Sequence, residues 1–243
     1  MLYLIGLGLD KKDVSLKALE IIKGCDKVYL ENYTNVFSHP VKEIEKLIGK
    51  KVIFADRKTV EEKKDIIEES KKKKVALLIS GDPLAATTHA DLFMRARKEK
   101  VKVEVIHSTS VFNAIAETGL QLYKFGKTAS IAKWVLPSFR PESFYEVVKE
   151  NLGIGAHTLL LLDIGLSANE ALSYLESMAK MKDSQINDWD LVVCENLGTS
   201  KQKISYGKIG QLVSKKYSLP ACMVVLGKMH FMEKEMLDEV SKR

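Results

Sequence analysis

The fold is decided by the stretch Val75-Ala76-Leu77-Leu78-Ile79-Ser80-Gly81-Asp82-Pro83-Leu84. Five apolar residues run together with no polar alternation, which suits a strand buried on both faces of a helix-covered parallel sheet. The run ends on Gly-Asp-Pro, a sharp turn at a strand's carboxyl end, where α/β sheets place their ligand crevices. Asp82 has the chemistry to hold a ribose hydroxyl or an ammonium group. Gly, Asp and Pro are also the residues a plain type I or II turn favours. Both readings stand on these residues alone.

Outward from this strand, short apolar runs alternate with amphipathic stretches. Strands are predicted at Leu2–Ile5, Lys27–Leu30, Val52–Phe54, Val75–Ile79 and Val101–Ile106, and helices at Ser15–Ile22, Val41–Ile48, Glu61–Lys72 and His89–Lys98. This βαβα order predicts a largely parallel sheet covered on both faces. In the second half, Thr109–Thr118 reads as helical. Strands are predicted there at Ala129–Ala132, Thr158–Leu162, Leu191–Cys194, Lys203–Tyr206 and Cys222–Leu226, and helices at Glu142–Asn151, Ala168–Met181, Ile209–Lys216 and Glu233–Val240. Strands and helices interleave less regularly in this half, so a mixed sheet is expected. A domain boundary is placed near Ser108–Phe112, giving an N-terminal domain of residues 1–110 and a C-terminal domain of 111–243.

Two more turns follow strands of the first half. Gly6-Leu7-Gly8-Leu9-Asp10 joins the first strand to its helix, and its glycines permit close approach of backbone to a ligand. The third glycine of the dinucleotide fingerprint is missing, with Lys11 in its place, and Glu31 is the one candidate for the acidic residue that should follow. A plain tight turn fits as well. His107-Ser108-Thr109-Ser110-Val111 follows the fifth strand and offers N-caps to the next helix, whose start also suits a carboxylate. Three such turns after parallel strands converge on one sheet edge. In the second half, Gly227-Lys228-Met229-His230 follows the last strand. His230 reads as a general base, a ligand contact or a capping residue, and spacing favours the structural role.

Composition excludes several classes. The chain has 243 residues, 46% hydrophobic and 29% charged, with no apolar run near the ~20 residues of a membrane helix. No basic segment precedes the short apolar start, so a soluble, cytoplasmic protein with no membrane association is expected. Cys25, Cys194 and Cys222 are odd in number and lie in apolar surroundings, which predicts buried free thiols. No Cys or His spacing signals a metal. The net charge of +6 is a weak pointer to an acidic partner, and Lys71-Lys72-Lys73-Lys74 reads as a solvated helix C-terminus.

The motifs together resemble the tetrapyrrole-methylase-like methyltransferases, and within them the diphthine synthase family. The segments that carry the resemblance are Leu4-Ile5-Gly6-Leu7-Gly8-Leu9, Leu30-Glu31-Asn32-Tyr33-Thr34, Gly81-Asp82-Pro83-Leu84-Ala85-Ala86-Thr87-Thr88-His89, Gly119-Leu120-Gln121-Leu122-Tyr123-Lys124-Phe125-Gly126 and Gly227-Lys228-Met229-His230. The resemblance implies a two-domain α/β fold with a largely parallel N-terminal sheet, a mixed C-terminal sheet and a cofactor in the cleft between. It implies a homodimer that methylates the amino group of a modified histidine on translation elongation factor 2, giving diphthine, with no stable nucleic acid partner. S-adenosyl-L-methionine is the implied donor and S-adenosyl-L-homocysteine the product. The family's cofactor contacts carry over to Leu9, Asp82, Ala85, Ser110, Val111, Leu161, Tyr206 and His230. A free α-amino group has a pKa near ~7.7–8, so a neutral fraction exists without a dedicated base, and no catalytic residue is nominated. The competing readings are a same-fold enzyme acting on a tetrapyrrole or ribosomal RNA, and a non-enzymatic nucleotide- or protein-binding module.

Overall fold

A computed structural model describes residues 1–34, 40–134, 140–182, 186 and 188–242. His39 lies outside the described residues. The chain divides into two compact units, Met1–Asn113 and Ala114–Arg243.

The first unit is built on a five-stranded sheet of β1 (Leu2–Gly6), β2 (Lys27–Glu31), β3 (Ile53–Ala55), β4 (Val75–Ile79) and β5 (Val103–Ile106), in the order β3-β2-β4-β1-β5. Every pairing is parallel. The period-two alternation of strands sorts its core into two layers. Leu2, Leu4, Val75, Leu77 and Ile79 pack on one face with Ile66 and Ile67 of α3 (Asp65–Lys72) and Leu92 and Ala96 of α4 (His89–Lys98). Ile5, Val28, Leu30, Ala76 and Leu78 pack on the other with Ala18 and Ile22 of α1 (Leu16–Lys23) and Ile44 and Ile48 of α2 (Val41–Ile48). The unbroken apolar run of β4 thus reflects burial on both faces, and all five of its residues are at 0% exposure. Ser15 starts α1 by accepting the Ala18 amide at 3.1 Å.

The helix predicted at Glu61–Lys72 is in fact two pieces. A π-helical turn spans Lys58–Glu62, the chain extends at Lys63, and α3 begins at Asp65. Val60 of the π-helical turn packs in the same core layer as Ile66 and Ile67 of α3. The lysine run spans the end of α3 and lies on the surface, with Lys71 paired to Glu68 and Glu99 at 2.8 and 2.9 Å.

A short helix, α5 (Val111–Ala114), leads into 3-10 turns at Ile115–Thr118 and Leu122–Lys124. The second unit then builds a mixed sheet of β6 (Ala129–Ile131), β7 (Thr158–Leu162), β8 (Asp190–Glu195), β9 (Lys203–Lys208) and β10 (Ala221–Val225), in the order β6-β7-β10-β8-β9. Only the β6–β7 pair is parallel among the described strands of this sheet. Leu160, Leu191, Val193, Met223 and Val225 face a core formed with α6 (Ser143–Gly153) and α7 (Ala168–Met181). The helix predicted at Ile209–Lys216 shortens to α8 (Ile209–Leu212). Past its end the Asn169 amide donates to the carbonyls of Val213 at 3.1 Å and of Lys215, which the helix leaves free. α9 (Phe231–Val240) closes the described chain.

Candidate functional site

The carboxyl ends of β1, β4 and β5 are level, because Gly6 pairs with Ile79 and Ile5 with Ile106. The three turns predicted from the sequence therefore start side by side. Gly6 is where they come closest. A Cβ there would lie 2.6 Å from the Gly81 carbonyl oxygen, 2.8 Å from Ser108 Cβ and 3.0 Å from Pro83 Cδ. No other residue fits between these turns. Beyond it Gly8 and Gly81, at φ of +76° and +77°, exchange backbone hydrogen bonds of 3.2 and 2.9 Å.

Asp82 ties the arrangement together. Its Oδ1 accepts the Leu84 amide at 3.0 Å, and its Oδ2 accepts the Ser108 amide at 3.1 Å and His107 Nδ1 at 2.8 Å. A carboxylate oxygen only accepts, so Nδ1 of His107 carries a hydrogen. The side chain of Asp82 is 11% exposed. Three of its roughly four lone-pair directions serve the protein, and about one is left over. The carboxylate that the sequence offered as a ligand contact is thus first a brace between the ends of β4 and β5.

The glycine turn differs from a phosphate-binding loop in one decisive respect. The Leu7 amide donates to the Ile79 carbonyl at 2.8 Å and the Gly8 amide to Gly81. Those of Leu9 and Asp10 donate to Asp13 Oδ2 at 3.0 and 3.1 Å. Every amide from Leu7 to Asp10 is engaged inside the protein, and a carboxylate sits where a dinucleotide-binding loop aims its free N–H groups at pyrophosphate. This edge suits a ligand without phosphate. Asp13 was not singled out from the sequence, although the spacing Asp10-x-x-Asp13 carries the signal of a capping box, and the structure forms one there.

Around this edge the first unit brings together Leu9, Asp82, Ala85, Ser110 and Val111. Leu9, Ala85 and Val111 are half-buried and Ser110 is buried. Ser110 donates its amide to Asn113 Oδ1 at 2.7 Å, and Ser108 donates its hydroxyl to the Asp13 carbonyl at 3.3 Å.

The other three predicted residues belong to the second unit. Register places Leu161 of β7 opposite Cys222, which faces Cys194, which faces Ile204. Tyr206 of β9 lies opposite Val192, which faces Val224. Directly paired residues share a face, so Leu161 and Tyr206 both lie on the face away from the α6 and α7 core. They are separated by three strand spacings, about 14 Å across the sheet, and by two residues, about 7 Å, along it. The three cysteines are free and buried.

His230 is exposed and caps α9, its Nδ1 accepting the Met232 amide at 3.3 Å. Three residues on, Glu233 is the centre of a network the sequence did not reveal. Its fully buried carboxylate accepts the amides of His230 at 2.6 Å and Gln121 at 2.9 Å, His157 Nε2 at 3.2 Å, and the Lys124 ammonium. Burial pushes this carboxyl up, but the His230 amide, Lys124, the Gln121 amide and His157 outweigh it and bring it down to about 2. His157 accepts the Gly227 amide at Nδ1, 3.0 Å away, so its hydrogen is on Nε2 and points at Glu233. Burial lowers the pKa of His157 against the opposing pull of Glu233. One carboxylate thereby joins the Gln121–Lys124 segment to the Gly227–His230 turn.

Among the described residues, no group of three or more His, Cys, Asp or Glu side chains is placed to hold a metal ion. No described helix is long and apolar enough to cross a membrane.

Comparison with known proteins adds an independent line. The family model of Tetrapyrrole (Corrin/Porphyrin) Methylases matches residues 1–213. The chain is 41% identical to the diphthine synthase of Methanococcus aeolicus, over 98% of this chain and 96% of that protein. It is 40% identical to the "Probable diphthine methyl ester synthase" of Arabidopsis thaliana, over 98% and 97%. A solved diphthine synthase structure superposes with a TM-score of 0.91 at 34% identity, covering 100% of this chain and 96% of that one.

Proposed function

The chain belongs to the tetrapyrrole methylase family and, within it, to the diphthine synthases, methyltransferases of diphthamide biosynthesis; from that membership we propose a donor, an acceptor and a set of cofactor contacts. The donor is S-adenosyl-L-methionine, released as S-adenosyl-L-homocysteine. The acceptor is the amino group of the modified histidine of translation elongation factor 2, which receives three methyl groups to give diphthine. The protein works in the cytoplasm as a homodimer.

The observation that carries the donor reading is the inward-turned glycine loop. S-adenosylmethionine has ribose hydroxyls, an amino-acid end and a cationic sulfonium, but no phosphate. A strand-end edge with its Leu7–Asp10 amides engaged and two carboxylates nearby fits such a ligand better than a nucleotide phosphate. When bound, the donor supplies a methyl group on positively charged sulfur, open to in-line attack by a neutral amine. Leu9, Ala85 and Val111 would supply apolar contact, and Ser110 together with the remaining lone-pair direction of Asp82 would supply polar contact. Leu161, Tyr206 and His230 are proposed as contacts on the family resemblance.

What the protein itself must do is hold two reactants in line and exclude water. Alignment of that kind contributes up to ~7–11 kcal/mol in model systems. The first attack uses the neutral fraction of the acceptor amine, and the two protons released over three methylations pass to solvent, so no residue named here is assigned as a base. Calorimetric titration with S-adenosylmethionine and with S-adenosylhomocysteine tests the donor. Saturable binding of both is expected, and no heat at millimolar cofactor would overturn the assignment.

A further inference from the structure

Two of the family-like segments, Leu30–Thr34 and Gly81–His89, meet at a pair of side chains that the cofactor contacts do not use. Glu31 ends β2 and His89 begins α4, and their side chains are buried to 1% and 0% exposure. Glu31 Oε2 and His89 Nε2 face each other at 3.5 Å. Neither atom has a hydrogen-bond partner among the described residues.

The far side of each group is already fixed. Thr34 Oγ1 donates to Glu31 Oε1. His89 Nδ1 lies 3.2 Å from the Pro83 carbonyl oxygen, which also accepts the Thr87 hydroxyl. A carbonyl oxygen only accepts, so Nδ1 carries a hydrogen. With both atoms bare, lone pair would face lone pair, so the geometry calls for one proton between them: on Oε2 it makes a neutral acid–imidazole bond, and on Nε2, the more basic partner by ordinary values, it makes the charge pair that a buried carboxylate needs. The neighbouring titratable and charged groups leave this choice in place. The Tyr33 ring is 6.2 Å from that of His89, Arg57 stacks over Tyr33 at 5.4 Å, and Glu61 is engaged with Thr88 at 2.7 Å.

We propose that Glu31 and His89 form a buried carboxylate–imidazolium pair, with hydrogens on both ring nitrogens, and that they are positioning residues for the cofactor edge. The pair clamps the Pro83 carbonyl, and with it the turn that carries Asp82 and Ala85, onto the end of β2. This role rests on the donor assignment above, whereas the charge state of the pair does not.

The test combines two readouts on the full chain. Nitrogen-15 spectra of the His89 ring, assigned by its loss in His89→Gln, are expected to show both nitrogens protonated at pH 7. In Glu31→Gln, which keeps shape and removes charge, Nε2 is expected to lose its hydrogen while Nδ1 keeps it. The affinity of Glu31→Gln for S-adenosylmethionine is expected to fall at least about fivefold, with its thermal midpoint near that of the parent. A bare ring nitrogen in the parent would overturn the charge pair, and parent-like affinity in Glu31→Gln would overturn the positioning role. Failure of the parent itself to bind would overturn the donor assignment instead, and the spectra would still decide the pair.

Discussion

Replacing Glu233 by glutamine should remove a specific part of the protein's acid sensitivity. The carboxyl falls from an ordinary 4.5 to about 2 because four donors outweigh its burial. At about 1.36 kcal/mol per pKa unit, that depression corresponds to roughly 3 kcal/mol of folding stability. The side chain is fully buried, so solvent does not screen the interaction away. For a depressed carboxyl the stabilisation is complete above the unfolded value and is lost as pH falls from about 4.5 toward 2. Depression of His157 acts in the same sense but in a higher window, below the ordinary 6.5 of a free histidine. Urea unfolding of parent and Glu233→Gln at pH 7, 4.5 and 3 separates the two. The parent should lose about half of this increment between pH 4.5 and 3. The variant should be less stable at pH 7 by roughly 1–3 kcal/mol and show a flatter acid limb. Parallel acid limbs for the two proteins would refute the claim that this carboxylate is the hub of the network.

Two other perturbations address the first unit. Gly6→Ala places a methyl group 2.6 Å from a carbonyl oxygen and 2.8 Å from Ser108 Cβ, so the three turns must spread. An overpacking cost of about 1–3 kcal/mol is expected, read as a lowered urea midpoint together with weakened cofactor binding. Asp82→Ala leaves the Leu84 and Ser108 amides and His107 without their acceptor. Unsatisfied groups cost about 1–3 kcal/mol each, and cofactor affinity is expected to drop at least about tenfold in calorimetry. Unchanged affinity would show that the brace is dispensable.

Much of this was legible in the sequence because it rests on period and on turn chemistry. The parallel first sheet follows from the apolar run Val75–Ile79 and its alternation with amphipathic stretches, and Val41–Ile48, His89–Lys98 and Ala168–Met181 form helices with the bounds the pattern gives. The three turns at the strand ends were marked by Gly, Asp, Pro and Ser. What the sequence could not show depends on contacts between residues far apart. Glu233 reads as an ordinary third helical residue until Gln121, Lys124 and His157 are brought to it from more than seventy residues away. Asp82 reads as a ligand carboxylate until His107 and Ser108 are seen against it. The stretches Glu61–Lys72 and Ile209–Lys216 have helical composition, yet the backbone extends at Lys63, and past Leu212 the carbonyls of Val213 and Lys215 are taken up by the distant Asn169 side chain. The residues proposed to contact the cofactor came from resemblance, and the geometry adds a reason for five of them to share one sheet edge.

The central claim is methyl transfer to the modified histidine of elongation factor 2. Its most direct test is to incubate the full chain with labelled S-adenosylmethionine and elongation factor 2 bearing the unmethylated aminocarboxypropyl side chain, then to count the methyl groups on that residue by mass spectrometry. A gain of three methyl groups on that histidine is predicted. A gain of four, the last as an ester, would contradict diphthine as the end product, and no gain at all would contradict the assignment of this acceptor.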